Sequence, residues 1–125
     1  MKQKIHGSWD LKSFDIIGND GVRRPWGDNT KGLLIYVDTG EVSVSINRSL
    51  DSEEPDAVLD SILFYSGTYS VEGNVVKHDV QLASSPTRVG KEMIRFADLE
   101  GDELTLKTPK ESYGIAELVW QRRSL

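Results

Sequence analysis

The stretch from Gly32 to Ile46, GLLIYVDTGEVSVSI, most constrains what this chain can become. Leu33, Ile35 and Val37 alternate with Leu34 and Tyr36. After a tight turn at Asp38-Thr39-Gly40, Val42, Val44 and Ile46 alternate with Glu41, Ser43 and Ser45. A period of two sends successive side chains to opposite faces of a strand, so the segment reads as a hairpin with one face for a core and one for water. A lone hairpin is marginally stable in water, and the rest of the chain must extend it.

The remaining segments do so. Ile5 to Ile17 reads as a long first strand with Ile5, Gly7, Trp9 and Leu11 on one face, after which the apolar face switches to Phe14 and Ile16. A change of parity inside one strand marks a bulge or bend, and a bent first strand helps a sheet to close. Gly18 to Gly21 is a turn, Val22 to Pro25 a short edge strand, and the segment around Trp26 is expected to fold over one end. Asn47 to Tyr65 breaks the pattern. Asp51 and Glu54 are spaced as a capping box, Pro55 suits a first helical turn, and Val58, Leu59, Ile62 and Leu63 share a helical face, which predicts one short helix over Glu54 to Phe64. Strands follow at Ser66 to Val71, Val75 to Ala83, Lys91 to Leu99, Glu103 to Lys107 and Ile115 to Arg122, separated by turns such as Glu72-Gly73-Asn74 and Glu100-Gly101-Asp102. Consecutive tight turns imply antiparallel up-and-down order, and closure removes the exposed edges. The expected fold is an all-β closed antiparallel barrel of about eight to ten strands with one short helix.

Composition narrows the class. The 125 residues suit one domain, taken as residues 1–125, and a chain of this size buries enough surface to need no disulfide or metal. A 38% hydrophobic content fits a thin-walled β structure with polar outer faces. The net charge of −5 argues against nucleic acid or an anionic membrane as partner. Cysteine is absent and no apolar run follows the N-terminal charges, so a cytoplasmic protein without signal peptide or membrane span is expected, as monomer or homodimer.

Gly7-Ser8-Trp9 resembles the G-x-W signature of lipocalins and related barrels. The longer pattern is similar to the bacterial and fungal lipocalin-like domain family. It runs through Gly7 to Phe14, Pro25-x-Gly27, Gly32-x-Leu34-Ile35-Tyr36, Tyr65-x-Gly67-Thr68-Tyr69, His78-x-Val80, Pro86-x-x-Val89-Gly90, Arg95-Phe96, Gly101-Asp102-x-Leu104 and Val119-Trp120-x-Arg122. The chain departs from the family at Asp79 and Gln81, where His and Glu are frequent, and is shorter between Ile46 and Tyr65. The resemblance implies a small calycin-type (lipocalin-like) barrel with room for a ligand, and implies no reaction. It also implies that Gly7 and Trp9 close the barrel against a basic residue of the last strand, Arg122 or Arg123.

Among residues able to do chemistry, His78 shares parity with Val76, Val80 and Leu82 and is expected to point inward, whereas His6 lies on the polar face of the first strand. Tyr36, Tyr65, Tyr69, Tyr113, Trp26 and Trp120 offer apolar faces with polar handles and are candidates to line a cavity, while Trp9 and Phe96 read as core. Arg95 shares parity with Met93 and Ala97, so it is either an inward cation in need of a carboxylate or a surface charge. The ligand-binding candidates are therefore His78, Tyr36, Tyr69, Arg95, Trp120 and Tyr113. No metal site is expected, because neither histidine has ligand partners at metal-binding spacing. No nucleophile elbow or phosphate loop is present, and no cofactor is implied. The leading expectation is a barrel that binds a small, mostly apolar molecule. The alternatives are a cavity enzyme of isomerase, cyclase or hydratase type with His78 as acid or base, and a structural domain with a filled interior.

Overall fold

Nine strands carry the chain in the computed structural model, which describes residues 2–49 and 62–124. They are β1 (Gly7–Ile17), β2 (Arg23–Pro25), β3 (Lys31–Tyr36), β4 (Glu41–Asn47), β5 (Ile62–Glu72), β6 (Val75–Ala83), β7 (Glu92–Glu100), β8 (Glu103–Lys107) and β9 (Ile115–Arg122). Every pairing is antiparallel, and β1 and β3 to β9 form a closed eight-stranded ring because β9 pairs back onto β1. The first half of β1 pairs with β3 through Gly7 to Asp10, and the second half takes β2 instead through Asp15 to Ile17. The register of β1 against β9 shifts between Leu11 and Ser13, at the parity switch expected from the sequence.

Most of the predicted helix lies outside the described residues. Its last three positions, Ile62 to Phe64, are strand, where β5 pairs with β4. Ile62 there is 38% exposed, so it does not belong to a buried helical face. Ile5 lies in a short 3-10 turn over Lys2–Ile5 that precedes β1, and a second such turn, Pro86–Arg88, connects β6 to β7. Phe96, read as core, faces outward and is 42% exposed, because the inward parity of β7 belongs to Met93, Arg95 and Ala97. Among the described residues no helix is long and apolar enough to cross a membrane.

Arg122 locks the ring. Its guanidinium carbon lies 4.2 Å from the centre of the Trp9 ring, one nitrogen donates to the His6 carbonyl at 2.6 Å and the other donates to the Lys4 carbonyl. Trp9 in turn donates its indole N–H to the Ile5 carbonyl at 3.0 Å. Gly7 leaves the space this needs, since a β-carbon there would sit 3.3 Å from an Arg122 nitrogen. Arg123, the other candidate for this position, points elsewhere and pairs with Asp10 at 2.8 Å. Arg122→Ala is expected to lower stability by about 1–3 kcal/mol, through loss of the ring contact and two charged hydrogen bonds. Arg122→Lys should recover little of it, because an ammonium lacks the planar fork. Urea midpoints of the two variants against the parent check this.

Candidate functional site

The buried hydrophobic residues form one cluster, and Ile5, Trp9, Tyr36, Val42, Tyr69 and Val76 belong to the set that borders no cavity. A second set encloses a cavity of about 400 Å³, within the range of small-molecule sites. Phe14, Leu34, Val44, Ile46, Leu106 and Leu118 supply its apolar wall. The barrel is therefore solid in one part and hollow in another.

Trp26 stands over the hollow part, as its turn-rich segment suggests. Its ring stacks on Phe14 with centroids 4.8 Å apart and planes 12° from parallel, and the Arg48 guanidinium lies 4.2 Å from its centre on the strength of a cation–π contact. Thr30 fixes the backbone by donating its hydroxyl to the Trp26 carbonyl at 2.7 Å. Trp26 also borders a second, more polar hollow beside Ser84, Ser85 and Pro86, and shares that border with Leu63 and Arg88.

His78 marks the boundary between packed and hollow regions. It is 1% exposed and lies between two phenols. The Tyr36 oxygen is 2.7 Å from Nε2 and the Tyr65 oxygen is 2.6 Å from Nδ1. Strand β6 turns His78 inward, Tyr36 reaches it from β3, and Tyr65 comes from β5. Burial removes the hydration an imidazolium needs, and the Arg95 charge adds repulsion, so the His78 pKa falls from 6.5 to about 3. The imidazole is thus neutral at physiological pH, with one nitrogen donating and one accepting. Burial pushes the Tyr36 phenol well above its usual 10.0. Tyr65 is also raised, although Arg95 and Arg88 act in the opposite direction.

Of the residues singled out from the sequence, His78, Arg95, Trp120 and Tyr113 lie on the cavity wall. Tyr36 and Tyr69 do not. Tyr36 is 1% exposed and touches the site through His78, while Tyr69 tilts against Tyr36 at 4.7 Å and donates to the Val37 carbonyl at 3.2 Å. Tyr113 sits at the rim and is 50% exposed. The Trp120 indole N–H is buried and has no acceptor among the described residues. His6, read as exposed, is partly covered, and its Nε2 is enclosed without a partner among the described residues. Arg95 faces the cavity, which settles its parity.

Sequence reasoning missed Arg88, Thr108 and Glu111, all on the cavity wall. Arg88 belongs to the second 3-10 turn and Glu111 to the loop before β9, where no strand periodicity assigns a face. Thr108 follows β8, and its hydroxyl oxygen accepts the Ala116 N–H at 2.9 Å. Among the described residues no group of three or more His, Cys, Asp or Glu side chains could hold a metal ion.

Solved structures share this architecture. A redesigned beta barrel aligns with a TM-score of 0.54 at 10% identity, covering 98% of this chain and 95% of its own. A point mutant of the fluorescent protein UnaG aligns with a TM-score of 0.51 at 14% identity, covering 100% of both chains. Fatty-acid-binding protein 1 of Echinococcus granulosus aligns over 98% of this chain and 99% of its own, with a TM-score of 0.49 at 14% identity. At such identities the first two likenesses establish the fold. No curated protein matches the sequence significantly. The family model of the lipocalin-like domain matches residues 6–123, from the strand that opens the barrel to the one that closes it. The chain belongs to the lipocalin-like domain family.

Proposed function

We propose that this protein holds a small, mostly apolar molecule inside its barrel. The cavity of about 400 Å³ carries this reading: its wall is mainly apolar, and a few polar groups are gathered around Tyr65, His78 and Arg95. Apolar lining with sparse, placed polar groups is how a pocket combines affinity with orientation. A hollow of this size also speaks against a domain whose interior is filled by its own side chains. The geometry at His78 favours binding over acid–base chemistry at that residue. Both ring nitrogens are occupied by phenols, and a pKa near 3 leaves no protonated form near neutrality.

Native mass spectrometry of freshly purified protein tests the role. The expected result is a mass excess that disappears on denaturation and is identified by extraction into organic solvent. A second expected result is uptake of apolar probes at one site per barrel. Leu106→Trp, which fills the hollow from β8, should abolish both while the far-ultraviolet spectrum stays β-type. A folded parent protein that takes up no apolar molecule would refute the role.

A further inference from the structure

The ligand's chemical class follows from the two arginines and the phenol on the cavity wall, an inference that rests on the binding role proposed above. Five of the seven arginines have a carboxylate or an aromatic ring as side-chain partner. Arg23, Arg24, Arg122 and Arg123 pair with carboxylates, and Arg48 lies over Trp26. Arg88 and Arg95, the two on the cavity wall, have no carboxylate within ion-pair distance among the described residues. Arg95 spends one donor on the carbonyl of its own neighbour, Ile94, at 2.8 Å. Glu111 also faces the cavity and reaches neither guanidinium. A chain of net charge −5 thus keeps two partly covered cations without a counter-ion beside an apolar hollow. A desolvated cation is favourable only when an opposite charge or strong acceptors face it.

The Tyr36–His78–Tyr65 chain adds a direction. A neutral imidazole has one N–H to give. If Tyr65 donated to Nδ1, the Nε2 hydrogen would go to the Tyr36 oxygen. The Tyr36 hydroxyl hydrogen would then be sealed in the packed part of the barrel without an acceptor, since His78 is its one hydrogen-bond partner among the described residues. The opposite order satisfies each group: Tyr36 donates to Nε2, Nδ1–H donates to Tyr65, and the Tyr65 hydroxyl hydrogen remains for an acceptor in the cavity. The arginines reinforce this, because both act electrostatically on the Tyr65 hydroxyl.

We infer that the cavity contains an oxyanion subsite in which Arg88, Arg95 and the Tyr65 hydroxyl hold the carboxylate of an otherwise apolar monocarboxylic acid. Guanidinium groups match a carboxylate in shape and charge, and a phenol O–H supplies a further short donor. The apolar wall takes the body of the molecule.

Decanoate and decanol test this, each titrated calorimetrically into ligand-stripped full-length protein at a pH where decanoate is ionised. Decanoate should bind about tenfold or more tightly than decanol. Arg95→Gln should erase most of that preference, and Arg88→Gln and Tyr65→Phe part of it, while each variant still binds decanol as a check that its barrel is intact. Long-range proton–nitrogen spectra should show His78 protonated at Nδ1. Equal binding of decanoate and decanol would overturn the subsite and leave the cavity's binding role standing. So would a preference that survives in the Arg88→Gln, Arg95→Gln double variant. An Nε2–H tautomer would overturn the donor order. Failure of both probes to bind the folded parent protein would remove the binding role together with the subsite.

Discussion

Gly67→Ala is expected to cost more than about 3 kcal/mol of stability, a larger loss than alanine should cause at any open turn glycine of the chain. The reason is backbone, not side chain. Gly67 lies in β5 where its register against β6 shifts between Ser66 and Gly67, a bulge that brings the β6 backbone close. A β-carbon there would sit 1.8 Å from the Asp79 carbonyl oxygen and 3.1 Å from the Gln81 nitrogen. No rotamer change relieves a clash with backbone, so β5 and β6 must separate or the bulge must be lost. Either moves Tyr65 relative to His78, because the bulge lies between Tyr65 and the Tyr69–His78 pair. Gly101→Ala is the control. Gly101 has φ of 60° in the β7–β8 turn and nothing within 4 Å of the added carbon, so it carries only the left-handed penalty of about 1–2 kcal/mol. Urea midpoints of the two variants should differ accordingly. Near-equal losses would mean that β5 and β6 do not approach as described.

His78→Phe should produce the second large effect, and it separates into a constant part and a pH-dependent part. At neutral pH the substitution removes the partner of two phenols. Tyr65 borders the cavity and can find water or ligand, but Tyr36 cannot, so the loss is expected at about 2–4 kcal/mol. Adding Tyr36→Phe to this variant should restore part of it, since removing both partners leaves no stranded hydroxyl. The parent protein should meanwhile lose stability as pH falls. The His78 pKa is depressed from 6.5 to about 3 in the fold, so the unfolded chain binds the proton first as the pH drops below about 6.5. Stability is complete above that value and declines by up to about 1.4 kcal/mol per pH unit until the folded pKa is reached. The upper half of this window is the diagnostic one. Asp10 and Asp20, held below 3.8 chiefly by hydrogen bonds from Arg123 and Arg24, give up their stabilisation only at lower pH. Denaturant midpoints between neutrality and mildly acidic pH should therefore slope in the parent protein and flatten in His78→Phe. A parallel slope in both would place the titration elsewhere.

The strand pattern was legible because it depends on local rules. Alternation fixed where β3, β4, β6, β8 and β9 run, turn residues fixed their ends, and the parity switch at Leu11 to Phe14 announced the β1 bulge. Parity also put His78 inside. Phe96 shows the weakness of the same reasoning: a large aromatic in a strand suggests core, yet its neighbours Arg95 and Ala97 occupy the inward positions and Phe96 faces out. The pattern around Gly7, Trp9 and Arg122 carried the family and the closing contact, leaving only the choice between two adjacent arginines to the structure.

By itself, then, the sequence determined an antiparallel all-β chain, the alternation of faces along most of its strands, and the family. Period-two alternation and turn chemistry act between neighbours and need no knowledge of the rest. Tertiary structure alone decided which inward residues are packed and which border a hollow. Tyr36 and Tyr65 carry similar strand signals, yet one is sealed and the other lines the cavity. Tyr36 meets His78 although β3 and β6 are separated by β4 and β5 in the sheet, because curvature of the closed ring brings their side chains together across the interior. Arg88 joins Arg95 from a 3-10 turn that has no periodicity to read. Faces are set by the sign of a residue's position along its own strand. Sites are set by closure and register, which depend on all eight strands at once.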